Sequence, residues 1–343
     1  MHALLDTNDG RSIIGANFPF GGRPLNIMAT SRRAWRKVTT RLSGIMAGRG
    51  DVSRRPPSGG LPLSRFSSAQ DFQQSELGSA IWKERVTALE QARVRHGNAF
   101  TVTAFCHVCN RWEPLQVDYL FGGDASRLAP NWRERLVCPS CGFNNRMRAA
   151  IQVFEEECQP RADSTIYLTE QVTPLFEHFR RRYRQVIGSE YLSSDMAPGS
   201  VSRLGIRHES LTRMSFRDAS LDFILSFDVL EHIPDYQAAL RECLRCLRPG
   251  GRLLLSAPFV MDSKENLIRA RETEGGDVIH LMPPEYHGDP MSEEGCLCYQ
   301  HFGWALLDDL RTAGFTQVQA LVYWSVDYGY LGGPQLFVTG VRA

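Results

Sequence analysis

The chain has 343 residues, 43% of them hydrophobic, and a formal net charge of +1. That length allows one large domain or two modest ones with a sizeable core, and the near-neutral balance excludes a chain that binds polyanions along its whole length. No apolar run reaches the length of a membrane span and no hydrophobic signal core is present, so an integral membrane segment is not expected and a cytoplasmic location is.

The charge is unevenly spread. Residues 1–70 hold 11 Lys/Arg against 3 Asp/Glu, which leaves 28 against 35 in the rest. A basic tail therefore precedes an acidic body. The tail is rich in Gly, Arg, Ser and Pro (GGRP, GRGDVSRRPPSGG) and lacks sustained periodicity, so 1–70 reads as disordered. Within it, Ala29–Ala47 can place Trp35, Val38, Leu42, Ile45 and Met46 on one helical face opposite Arg32, Arg33, Lys37 and Arg41. That pattern suits a membrane surface or a nucleic acid, although a solvated tail is its ordinary use.

Residues 71–95 read as a helix, with Leu77, Ile81, Trp82, Val86 and Leu89 apolar. Two C-x-x-C pairs follow, Cys106/Cys109 and Cys138/Cys141, in a chain with an odd count of 9 cysteines. This usage favours metal binding in a reducing compartment over a disulfide framework. Each pair places two thiolates on one tight knuckle, and two knuckles make a tetrahedral four-sulfur set suited to a structural zinc ion. The spacer is longer than usual, but doubling a loop costs only about 0.6 kcal/mol. Gly142 fits a knuckle turn, and His107 is expected outside the ligand set. Phe105, Trp112, Tyr119, Phe121 and Trp132 supply an apolar cluster. The alternative is four buried, reduced thiols.

A helix over Asn144–Cys158 follows with almost no linker, which predicts a docked module. Arg146 and Arg148 on it are expected in surface ion pairs. Residues 164–169 read as a strand, then comes the loop Thr169-Glu170-Gln171-Val172-Thr173 and a helix opened by Pro174. Tyr183–Leu192 reads as the second strand and a third precedes Ser210. In Leu221–Phe227 an apolar run marks a buried parallel strand. Asp235 is a helix N-cap, Leu240, Leu244 and Leu247 recur at helical spacing, and Pro249-Gly250-Gly251 stops the helix before Leu253–Leu255. This is a βαβ unit. Residues 261–302 lack periodicity and carry His280, Tyr286, His287, Asp289 and His301, as a functional lid can. Trp304–Gly314 is a helix ended by glycine, and Thr316–Trp324 and Gln335–Arg342 are the final strands.

The loop Phe227-Asp228-Val229-Leu230-Glu231-His232, the turn and strand from Leu247 to Ser256, and Pro258 together resemble the class I S-adenosylmethionine-dependent methyltransferases of the type 11 branch. The resemblance implies an α/β fold: a Rossmann-like seven-stranded sheet with a reversed C-terminal hairpin. A smaller zinc-ribbon-like module precedes it, giving a tail at 1–70, a helix and zinc module at 71–143 and the methyltransferase domain at 144–343. It also implies S-adenosylmethionine as cofactor. Thr169, Glu170 and Gln171 would meet its methionine end in place of the family's glycine-rich loop. Glu190, at the end of strand two, would take the ribose hydroxyls. Ser210 and Leu211 would lie by the adenine, and Asp228 and Val229 would line the cofactor. For a hydroxyl acceptor, His287 and His232 are the candidate bases, with Asp289 orienting a ring. A small-molecule acceptor is expected. The alternatives are RNA, to which the basic tail and zinc module would suit, and a scaffold that kept the fold without the cofactor.

Overall fold

The computed structural model describes residues 54–343. The amphipathic stretch at Ala29–Ala47 and most of the expected tail lie outside the described residues. The tail's last part does not behave as disordered chain. Leu63–Phe66 is a strand, β1, with Leu61 and Phe66 buried beside it. Helices α1 (Ala69–Gln74) and α2 (Ala80–Gln91) follow, opened by the side chains of Ser68 and Ser79, which accept from Asp71 N and Trp82 N.

Strands β2 (Ala99–Cys106) and β3 (Arg111–Asp118) form an antiparallel hairpin with Phe105 opposite Trp112 and Cys106 opposite Arg111. Helix α3 (Asn145–Val153) starts on the Asn144 side chain and runs into a wider π turn over Phe154–Cys158, which ends where Gln159 takes a positive φ of 46°. Then come β4 (Thr165–Leu168), α4 (Pro174–Arg182) and β5 (Gln185–Gly188). The βαβ unit follows as β6 (Leu221–Phe227), α5 (Tyr236–Cys246) and β7 (Leu247–Ser256). Helix α5 ends at Cys246, before the Pro-Gly-Gly turn, and Gly250 carries the positive φ, 77°, that the turn needs.

The insertion is not structureless. It folds into six short strands: β8 (Leu267–Ile268), β9 (Ala270–Glu272), β10 (Val278–His280), β11 (Tyr286–Asp289), β12 (Ser292–Leu297) and β13 (Gln300–His301). They pair as β9–β10, β11–β12 and β8–β13. Helix α6 (Ala305–Ala313), closed by Gly314 at φ 108°, leads into β14 (Phe315–Ser325) and β15 (Tyr330–Arg342).

The main sheet has the order β1-β14-β15-β7-β6-β4-β5. Strands β5, β4, β6 and β7 run parallel, and β15, β14 and β1 continue it antiparallel. This is the Rossmann-like sheet with its reversed hairpin, with one exchange. The expected third strand shrinks to a single parallel bridge between Glu190 and His208. Its segment is polar, with Gly205 at φ 77°, so it has little apolar face to lay on the sheet. The seventh strand is β1, on the opposite edge.

Because Phe66 is buried and packs edge-on against Phe72 at 5.3 Å and Trp304 at 6.4 Å, β1 belongs to the core. Phe66→Ala is expected to destabilise the fold by about 3 kcal/mol, read as a fall in the urea midpoint. An unchanged midpoint would return β1 to the tail.

Candidate cofactor cleft and cysteine cluster

The first knuckle, Cys106–Cys109, is the turn of the β2–β3 hairpin. The second, Cys138–Cys141, is closed by Gly142, whose N–H donates to the Cys138 carbonyl at 2.9 Å and whose φ is 77°. The four Sγ atoms lie within 4.8 Å of one another, with 3.8 Å from Cys106 to Cys141 and 3.7 Å from Cys109 to Cys138. None is in a disulfide. His107 stands outside the set, its Nε2 2.8 Å from Glu155.

The module is docked. Arg148 is fully buried, and its guanidinium donates to the carbonyls of Tyr328 at 2.7 Å, Gly329 at 3.0 Å and Leu136 at 3.3 Å. Asn145 donates to Trp132 O at 3.1 Å and Leu331 O at 2.7 Å. Arg148 is therefore an internal strut between module and C-terminal hairpin, not the partner in a surface ion pair that its charge suggests.

The loop after β4 manages without glycine. Residues 169–173 all keep negative φ. The close approach is made from the neighbouring strand: a Cβ on Gly188 would stand 2.6 Å from the Glu170 carbonyl oxygen and 2.5 Å from the Phe176 ring. Glu190 Oε1 accepts from Gln171 N at 2.7 Å and Val172 N at 2.9 Å, so the acid after β5 anchors the loop. Burial pushes the Glu190 carboxyl up to about 7 despite those two donors. Gln171 spends its amide on the 205–207 turn, donating to Gly205 O at 2.9 Å and accepting from Arg207 N at 2.8 Å. Thr169 is buried, its hydroxyl 3.3 Å from Ser226 Oγ. Burial raises the Glu170 carboxyl, opposed by Thr173 and by the Arg146 charge. Ser210 spends its hydroxyl on Thr212 at 2.9 Å, and Leu211 is buried in the core.

Asp228 ends β6 in the left-handed region, at φ 54°. Its carboxylate accepts from Arg133 Nη2 at 2.7 Å on both oxygens and from Ser256 Oγ at 3.0 Å, and Arg146 Nη1 lies 3.3 Å away. Burial pushes this carboxyl up, but the Arg133 and Arg146 charges overcome it and hold Asp228 well below the usual carboxylate range. Glu134 completes the group, 2.7 Å from Arg133 and 2.9 Å from Arg146. Behind it lies a void of about 10 Å³ lined by Arg146, Met147, Leu175, Phe227, Ser256 and Phe337. Val229 packs half-buried on the core. Arg133 carries no sequence signal; it comes from the spacer between the knuckles.

The insertion brings His287 beside His232, ring centroids 4.9 Å apart at 85°. His232 Nδ1 is 2.8 Å from the Leu297 carbonyl, and His287 Nε2 is 2.9 Å from Glu285 Oε1. Glu285 also meets His301 at 3.0 Å and Arg269 at 3.1 Å. Beside both rings is Glu231, fully buried, its Oε1 3.5 Å from His287 Nδ1 and 3.7 Å from His232 Nε2. Cys298 beside it and then Glu231 push the His287 ring up to about 11. Asp289 does not orient a ring: its Oδ1 accepts from Met291 N at 2.7 Å within its own hairpin turn. Glu285 holds that place instead.

A family model described as a methyltransferase domain matches residues 172–255. A probable S-adenosylmethionine-dependent methyltransferase of Mycolicibacterium smegmatis is 34% identical over 107 residues, covering 29% of this chain and 42% of that protein. A demethylmenaquinone methyltransferase of Anoxybacillus flavithermus is 26% identical over 185 residues, covering 48% and 70%. A solved 1,6-didemethyltoxoflavin-N1-methyltransferase of Burkholderia thailandensis is 18% identical, covering 57% of this chain and 78% of that one, with a TM-score of 0.35. The chain thus spans about two fifths of the length of the first of these relatives. Among the described residues no helix is long and apolar enough to cross a membrane. With the matched segment and the sheet order together, the chain carries a methyltransferase domain of the kind found in S-adenosylmethionine-dependent methyltransferases.

Proposed function

We propose that this chain is an S-adenosylmethionine-dependent methyltransferase acting on a hydroxyl of a small-molecule acceptor. The observation that carries it is the set of charged groups at the carboxyl ends of β4, β5 and β6, where ligands of open α/β sheets bind. The methionine end of the cofactor is a zwitterion. Arg133 and Arg146 offer two guanidinium groups for its carboxylate, and Asp228 and Glu170 offer carboxylates for its ammonium. Glu190 uses one oxygen on the loop and keeps the other for ribose hydroxyls. A loop with no positive φ has no need of glycine, which removes the main support for a scaffold without cofactor.

Methyl transfer from a sulfonium is an in-line displacement. The cofactor supplies the activated methyl group, and the chain supplies alignment and a route for the acceptor's proton. The insertion, which sets His287 beside His232 of the loop after β6, is the acceptor's wall in this reading.

The cysteine cluster is proposed to hold one structural zinc ion. Four sulfurs at about 2.3 Å from a central zinc stand about 3.8 Å apart in a tetrahedron. The observed 3.8 Å and 3.7 Å fit that edge, and four protein ligands leave no open position for catalysis. The zinc keeps the two knuckles, and with them the spacer that carries Arg133, in one arrangement.

Elemental analysis of purified protein is expected to give about one tightly held zinc per chain, and Cys138→Ser to lose it and melt earlier. Well-folded protein with far less zinc would remove the metal from the account.

S-adenosylhomocysteine binding tests the cleft. Hydroxyl donors favour ionised Glu190, whose carboxyl stands near 7 in the free protein. Calorimetric affinity should therefore rise between pH 6 and pH 8, as the free protein gives up the competing proton. Glu190→Gln should bind about 10-fold more weakly at pH 8 and lose this pH dependence. Equal slopes in both proteins would put the ribose elsewhere.

A further inference from the structure

We propose that Glu231, His232 and His287 form a second metal site, for a divalent first-row transition ion such as zinc, cobalt or iron, set against the acceptor side of the cleft. The cysteine cluster plays no part in it.

The starting point is Glu231. It is fully buried, and neither Oε1 nor Oε2 has a hydrogen-bond partner. A buried carboxylate without donors is tolerated only beside a compensating positive charge. The basic groups facing it are His287 Nδ1 at 3.5 Å and His232 Nε2 at 3.7 Å, both beyond hydrogen-bond length.

The outer partners fix the rings. His232 Nδ1 faces the Leu297 carbonyl, which only accepts, so that nitrogen bears a hydrogen and Nε2 is the ring atom turned to Glu231. His287 Nε2 faces the Glu285 carboxylate, so a metal that displaces the other ring proton to solvent would meet an Nδ1 lone pair aimed at Glu231. With that proton gone, two imidazole nitrogens and a bare carboxylate would lie within 4.8 Å of one another. Each imidazole is braced through its other nitrogen, which is how metal-ligating histidines are held.

The donor separations, 3.5 Å and 3.7 Å, stand at the upper edge of what a common ion spans. Donors about 2.0–2.2 Å from a metal stand about 3.0–3.6 Å apart at bond angles of 90–110°. The three donor atoms lie within 4.8 Å of one another, and the perpendicular rings let both nitrogens aim inward. The frame is stiff: Tyr299 N donates to Glu231 O at 2.8 Å, and Gln300 Nε2 reaches Leu230 O and Ile233 O, each at 3.0 Å. Two imidazoles with one carboxylate select a transition ion over magnesium or calcium and leave coordination positions open. Cys298 Sγ is directed to the Gln300 carbonyl at 3.4 Å and forms the outer wall.

The role of the site rests on the methyltransferase reading; its existence does not. An acceptor hydroxyl bound at an open position gives its proton to solvent more readily. The oxygen lone pair then forms the bond to the methyl carbon as the carbon–sulfur bond breaks, leaving S-adenosylhomocysteine.

The test is titration of zinc-loaded, full-length protein with Co2+, followed by visible spectroscopy. Wild type is expected to bind one cobalt per chain with d–d bands and without the near-ultraviolet thiolate charge-transfer band that exchange into the cysteine cluster would give. Glu285→Gln, which removes an outer partner, should weaken binding about 10- to 100-fold. Glu231→Gln and half-exposed His287→Ala should weaken it at least as much. No cobalt binding outside the cysteine cluster, as when two imidazolium rings neutralise Glu231, overturns the proposal. So does wild-type affinity in both Glu231→Gln and His287→Ala. S-adenosylhomocysteine affinity is measured on the same samples: protein that takes cobalt but not this ligand keeps the site and loses the methyl-transfer role.

Discussion

The ion pair of Arg133 Nη2 with both oxygens of the Asp228 carboxylate joins the two parts of this molecule at the place where chemistry is expected. Asp228 sits at the end of a central strand in a backbone conformation that side chains rarely adopt. Such a residue persists only when its surroundings over-determine it, and here both carboxylate oxygens accept from one guanidinium. Arg133 in turn sits in the spacer between two cysteine knuckles. The position of that spacer depends on the cluster at one end and on the buried struts Asn145 and Arg148 at the other. Breaking such a pair leaves a half-buried charge unmatched, which costs more than the pair itself contributes. The cysteine module is therefore tied to the end of β6 through Arg133 and Asp228.

The glycine-free loop follows from where close contact is needed. Loops that cradle a cofactor need backbone without side chains at the point of nearest approach, whichever strand supplies it. Here Gly188 on β5 lets the Glu170 carbonyl come close, and Glu190 ties the loop down through two N–H donors. The loop gains a carboxylate anchor whose burial costs enough to move its titration toward neutrality.

Local signals were legible in the residues. Asp235 and Thr173 cap their helices, Pro174 opens one, Gly314 closes another, and both cysteine knuckles meet. What escaped depends on distant partners. The edge strand Leu63–Phe66 is four residues long in polar surroundings, and only β14 gives it a reason to be extended. The insertion's strands are short and largely exposed, so no apolar alternation marks them. Arg133 and Asp228 lie 95 residues apart. Asp289, expected to orient a ring, is turned into its own hairpin because the pairing slips between His287 and Asp289, and Glu285 stands beside His287 instead.

The affinity of Arg133→Ala for S-adenosylhomocysteine, beside its zinc content, tests most directly whether the cysteine module completes the cleft. This ligand carries no sulfonium charge, so the unpaired Asp228 gives it no new attraction at sulfur. A charge-assisted hydrogen bond to the ligand carboxylate is worth roughly 1.5–3 kcal/mol. The account predicts affinity lower by about 10- to 100-fold, with zinc still at one per chain. Unchanged affinity in a zinc-replete variant would contradict it and leave the module a neighbour of the cleft only.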